Sequence, residues 1–262
     1  MSAVVLEQGI IHYEAMGRGR GPLIFLHGWL GSWRYWVPAM EELSVSRRTY
    51  AFDLWGFGDS DKLGDYTIGM YVDLLDAFLN EMGIQRAALV GHALGGLVAL
   101  SFAARAPDRV EQVMGVSVPF TGTSVEPMVG SFSGNGNSLA RLVARRANFP
   151  EVEREARKAD VKAVVSSVRS AMKSNGLRDL LLPFDVPILL VHGGKDPLVE
   201  APRREWLGGL GENARVVLLD GTAHFPMLEE QNKFNRLLME FLEVGGDLKS
   251  LELKEEWQRR LR

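Results

Sequence analysis

A chain of 262 residues is long enough for one large α/β domain carrying an insertion, and too short for two ordinary enzyme domains. Hydrophobic residues make up 46% and charged residues 24%, the proportions of a globular protein rather than a disordered, fibrous or membrane-embedded one. A net charge of −3 with scattered basic residues offers no field for nucleic acid, and the absence of cysteine removes disulfides, thiolate nucleophiles and Cys-type zinc sites together.

Residues 4–8 and 10–16, separated only by Gly9, read as antiparallel strands at a sheet edge. Short apolar runs then alternate with helical patterns, the signature of a mostly parallel sheet with crossover helices. The order is strand 23–27, helix 32–43, strand 49–53, helix 67–82, strand 87–90, helix 94–105 closed by Pro107, and strand 110–116. The stretch 87–104 is uncharged and about as long as a bilayer span, but Gly91, His92, Gly95 and Gly96 mark a turn between a buried strand and a buried helix.

After Pro119 the alternation stops. Small and polar residues at 130–138 are expected to form a mobile loop, and 151–173 is charged and helix-compatible, so 119–183 is expected to be an inserted helical cap. The α/β pattern resumes with strand 187–192, a short helix near 203–207, strand 215–219 and a helix over 229–242. In the tail, Leu248, Leu251, Trp257 and Leu261 recur at near-helical spacing. The resulting division is a core of 1–118 and 184–246, a cap of 119–183, and an appended helix at 247–262. The first nine residues lack the basic and apolar regions of an export signal, so the expected location is the cytoplasm, with no membrane insertion. The state expected is a monomer or homodimer.

Gly91-His92-Ala93-Leu94-Gly95 lies between a buried strand and a helix, where a sharp turn leaves no room for neighbouring side chains. Here the chain resembles the α/β-hydrolase fold family. The resemblance extends to the His27-Gly28 pair, the loop DLWGFGDS at 53–60, the loop Gly193-Gly194-Lys195-Asp196 and the turn at 221–225, all in the family's order and spacing. It implies a nucleophile, acid and histidine in that chain order, which fall here on Ala93, Asp196 and His224. No acid stands at 117–120, the other place relatives use, and Asp196 follows a strand directly. The resemblance also implies an oxyanion hole built from the backbone N–H groups of Trp29 and Leu94. His27 and His92 flank the motifs and read as structural; His12 and His192 belong to none.

The departure is at Ala93. Alanine has no lone pair, so no acyl-enzyme can form there, and Ser101 is about two helical turns away. Two explanations stay open: a serine hydrolase inactivated by a Ser→Ala change, or a native alanine in a ligand binder or a cofactor-free enzyme that works through the His224–Asp196 dyad. Trp33, Trp55, Phe120 and Phe225 suggest apolar pocket walls, hence a small to medium, largely apolar ester or related acyl substrate. No phosphate-binding glycine loop, HExxH or carboxylate cluster is present, so no cofactor or metal is expected.

Overall fold

The computed structural model describes residues 2–121, 149–173, 185–202 and 211–251. Its centre is an eight-stranded sheet in the order β1-β2-β4-β3-β5-β6-β7-β8. The strands are β1 (Ser2–Leu6), β2 (Gly9–Met16), β3 (Pro22–Leu26), β4 (Arg48–Phe52), β5 (Ala87–His92), β6 (Val110–Val116), β7 (Ile188–Gly193) and β8 (Ala214–Leu219). β2 runs antiparallel to both β1 and β4, and the pairings from β4 through β8 are all parallel. The central strands read as unbroken apolar runs because helices cover both of their faces; every residue of β5 and β7 is buried.

The helices among the described residues are α1 (Val37–Leu43), α2 (Ile68–Glu81), α3 (Leu94–Arg105), α4 (Pro150–Ala156), α5 (Val161–Lys173), α6 (Pro226–Glu229) and α7 (Gln231–Val244). Thr67 starts α2 by accepting a hydrogen bond from the Met70 N–H. α3 is apolar on nearly every side and packs under α2 against β5 and β6. No described helix is long and apolar enough to cross a membrane; the uncharged 87–104 stretch is β5 followed by α3.

One helix expected from sequence is divided. Residues 32–43 form a 3-10 turn, Trp33–Trp36, capped by Ser32, before α1 begins with Pro38 in its first turn. Proline has no N–H to give to a helix interior and belongs at a helix start, so it breaks the run in two. The helix expected at 229–242 is α7, which begins after Glu230, at φ −132, sets it apart from the short α6 that Pro226 opens.

α4 and α5 lie in the segment between β6 and β7. Ion pairs tie α4 down: buried Glu155 lies 3.4 Å from Arg34 and 3.2 Å from Lys158, while Asp59 lies 2.9 Å from each of the same two cations. Asp160 binds the Tyr66 hydroxyl at 3.0 Å and gives its own N–H to the Gly56 carbonyl. Within the tail, Leu248–Ser250 is a 3-10 turn, and Arg215 donates to the Leu251 carbonyl at 2.9 Å. The loop expected at 130–138, the short helix near 203–207 and the tail from 252 onward lie outside the described residues.

Candidate active site

The site forms where the parallel strands end. β5 stops at His92, and Ala93 turns the chain into α3 at φ 46 and ψ −106, a backbone state that costs a residue with a Cβ about 1–3 kcal/mol. The turn is over-determined. Ala93 N–H donates to the Val116 carbonyl at 2.8 Å and Gly95 N–H to the His27 carbonyl at 3.1 Å, and a Cβ on Gly95 would be driven into the Leu26 carbonyl. Ala93 itself is fully buried.

Asp196 sits three residues beyond β7, and His224 five beyond β8. His224 donates from Nδ1 to Asp196 Oδ2 at 2.8 Å, with both side chains buried. The other Asp196 oxygen accepts the N–H groups of Leu198 and Val199 at 2.8 and 3.1 Å. Burial alone would raise the Asp196 pKa; the neighbouring imidazole and these three hydrogen bonds outweigh it and hold the carboxyl below the ordinary carboxylate value. The acid is therefore ionised and fixes the tautomer of His224, leaving Nε2 as the nitrogen with a free lone pair. The His224 ring lies 4.7 Å, centroid to centroid, from His92, the residue before Ala93. Ala93, Asp196 and His224 are thus brought to one corner of the sheet.

The turn at 27–31 faces the elbow so closely that a Cβ on Gly28 would lie 2.5 Å from His92 Nδ1 and 3.0 Å from the Ala93 Cβ. His27 fixes this turn. Its Nε2 accepts the Leu54 N–H at 3.0 Å, which leaves the ring proton on Nδ1 for the Gly28 carbonyl at 2.8 Å. Burial lowers its pKa to about 4, so near neutrality the ring keeps that tautomer. The Gly28 carbonyl also accepts the Gly31 N–H at 3.0 Å. A trans peptide holds its N–H opposite its carbonyl, so pinning the carbonyl aims the Trp29 N–H away from His27 and Gly31. Among the described residues neither the Trp29 N–H nor the Leu94 N–H donates a hydrogen bond, and both residues are buried.

The four aromatic residues named from sequence separate. Phe225 packs on the dyad, its ring 5.1 Å from both His224 and His92. Trp33 follows the 27–31 turn, gives its N–H to Asp53 at 2.8 Å and carries the Arg34 guanidinium over its ring. Phe120 is buried beyond the end of β6. Trp55 turns its indole N–H to the Ile10 carbonyl at 3.2 Å, on β2 and away from the dyad. His92 and His27, read from sequence as flanking, both hold site backbone; Ser167 on α5, with no sequence signal, accepts the Trp29 indole N–H at 2.9 Å. Among the described residues no group of three His, Asp or Glu side chains is placed to hold a metal ion.

Residues 21–168 match the family model of the alpha/beta hydrolase fold. The chain belongs to the α/β-hydrolase fold family. Similar proteins of this family include epoxide hydrolase 3 of Xenopus tropicalis, 38% identical over 112 residues that cover 41% of this chain and 30% of that relative. A pimeloyl-[acyl-carrier protein] methyl ester esterase of Neisseria meningitidis is 28% identical across 84% of this chain and 92% of its own. The crystal structure of an enol-lactonase from Burkholderia xenovorans superimposes with a TM-score of 0.81 at 22% identity, covering 92% of this chain and all of that one, and so shares the α/β-hydrolase architecture.

Proposed function

We propose that this chain carries the acyl-transfer site of a carboxylic-ester-hydrolase-type α/β hydrolase, acting on a small to medium, largely apolar ester or lactone, from which the nucleophile is missing. The observation that carries the reading is the Asp196–His224 pair, 2.8 Å apart, beside a residue held at φ 46 that offers only a methyl group. A backbone strained in this way supports a placed nucleophile more than a packing role, since any unstrained turn would bury a methyl equally well. The esterase and lactonase names of its relatives support the substrate class.

In this reading, a serine at position 93 gives its proton to His224 Nε2 as its oxygen bonds to the acyl carbon, and the developing oxyanion takes hydrogen bonds from the Trp29 and Leu94 N–H groups. The imidazolium, stabilised by Asp196, returns the proton to the departing alcohol, and a water deprotonated by His224 then releases the acid. With Ala93 the first step is lost. Only the direct route remains, in which His224 activates a water against a bound ester, so the chain binds such substrates and turns them over poorly. Phe225 and Trp33 supply apolar wall, and α4 and α5, between β6 and β7, serve as the described part of a cap over the strand ends.

The test is Ala93→Ser assayed on a panel of p-nitrophenyl esters, thioesters, lactones and amides against the unaltered chain and Ala93→Ser/His224→Ala. Hydrolysis is expected from the serine variant and its loss from the double variant. A folded serine variant inert toward the whole panel overturns the reading in favour of a native alanine in a binder or a dyad enzyme.

A further inference from the structure

The residue that carries one of the two unpartnered N–H groups is anchored from outside the sheet. Trp29 gives its indole N–H to Ser167 Oγ at 2.9 Å, across 138 residues of sequence, and both side chains are buried. A serine hydroxyl has one proton, and here it is committed: Ser167 Oγ lies 2.6 Å from the carbonyl of Ala163, one turn back along α5, and 3.2 Å from that of Val164. Back-bonding of this kind fixes the rotamer of a helical serine. What it leaves toward Trp29 is a lone pair, the one thing an indole N–H can use.

The 27–31 turn therefore has two independent anchors. From below, His27 and Gly31 hold the Gly28 carbonyl and with it the plane of the Gly28–Trp29 peptide. From above, Ser167 holds the far end of the Trp29 side chain. The turn needs holding, because Leu30, its next residue, sits at φ 62 without being glycine. α5 is in turn fixed to the core at both ends: Asp160, just before it, binds Tyr66 and Gly56, and Ser170 accepts the Ile68 N–H at 3.1 Å.

We propose that Ser167 is a positioning residue through which α5 sets the aim of the Trp29 backbone N–H, making the oxyanion donor depend on where the helix between β6 and β7 sits. The inference rests on the acyl-transfer reading of the site. Ser167 touches no reacting atom. Removing its hydroxyl frees the indole to rotate, moves the Trp29 Cα and tilts the adjacent N–H, which weakens a contact that matters most in the transition state.

The experiment is a double-mutant cycle in the Ala93→Ser background with steady-state ester hydrolysis as the readout. Complete loss of an oxyanion-hole donor costs roughly 10²–10³ in kcat; a tilted donor should cost about tenfold. Ser167→Ala should lower kcat by that factor with KM nearly unchanged, Ser167→Thr should restore most of it, and Trp29→Phe should lose a similar amount. Ser167→Ala should then cost nothing further in the Trp29→Phe background. Should Ser167→Ala fail to fold, Trp29→Phe alone decides: a kcat equal to the parent's overturns the proposal. An unchanged kcat in Ser167→Ala, or an equal loss with and without the Trp29 indole, overturns it while leaving the acyl-transfer reading intact. An inert Ala93→Ser parent overturns both.

Discussion

His92 donates its Nε2 proton to the backbone carbonyl of His224, 2.8 Å away and 132 residues on in sequence. Burial holds the His92 pKa well below the ordinary histidine value, so its ring is neutral and the Nε2 proton is permanently committed to that carbonyl. The residue before the elbow thus anchors the loop that presents the dyad's imidazole. In the Ala93→Ser background, His92→Leu should lower kcat on esters by roughly 10–100-fold with a smaller change in KM, since small displacements of a catalytic group carry penalties of that size. Steady-state kinetics with a thermal melt as folding control measures it, and a kcat equal to the parent's would remove the anchoring role.

Asp196 should matter through orientation. Replacing it by Asn keeps the shape of the side chain but permits the wrong imidazole tautomer, and in triads such a change costs about 10⁴ in kcat. Ala93→Ser/Asp196→Asn should show a loss of that order against Ala93→Ser, measured on one fast ester. Asp196 already titrates below the ordinary carboxylate value. Activity lost between about pH 5 and 7 is therefore not its own.

Stability should rise with pH across the weakly acidic range. Burial lowers His27 and His192 to about 4, so between there and their ordinary value near 6.5 the unfolded chain binds protons that the folded one does not. That stability is present above the ordinary value and lost as pH falls toward 4, and His92 acts in the same sense. Asp53 works against them: burial, only partly offset by the N–H groups of Asp59 and Trp33, raises it to about 6, so its contribution is lost as pH rises from its ordinary value through 6. Three histidines outweigh one aspartate. His192, buried with neither ring nitrogen hydrogen-bonded, gives the cleanest check. His192→Leu should flatten the dependence of unfolding free energy on pH by about one proton between roughly pH 4.5 and 6, read from urea denaturation at several pH values.

Gly28→Ala should cost stability by close approach. Its new Cβ would meet His92 Nδ1 at 2.5 Å and the Ala93 Cβ at 3.0 Å, and His92 cannot retreat without releasing His224. Overpacking of this kind costs roughly 1–3 kcal/mol, measurable as a lower urea midpoint at unchanged slope.

Much of the sheet was legible because its strands are bounded by residues with fixed backbone consequences. β6 and α3 fall on 110–116 and 94–105 as expected, with Pro107 between them and the glycines of the elbow before them. Pro38 was equally visible, yet apolar periodicity runs straight across it, so the break at the start of α1 was absorbed into one longer helix. Asp196 and His224 could be named because each follows a strand in a recognisable loop. The contacts that hold them could not: His27 to Gly28, His92 to His224 and Trp29 to Ser167 are decided by which carbonyl or hydroxyl the fold brings within 3 Å, and no local pattern encodes that.

The elbow makes the site perishable in one direction and recoverable in another. Its strain resides in the main chain at Ala93, where φ is 46, and a methyl group gains nothing in return. Ala93→Gly should therefore stabilise the chain by about 1 kcal/mol, because glycine reaches such angles without penalty. A serine would place a hydroxyl there at the same backbone cost. Folding stability and the acyl-transfer chemistry proposed above thus favour opposite substitutions at position 93, glycine for the one and serine for the other, while the backbone hydrogen bonds that shape the turn accept either.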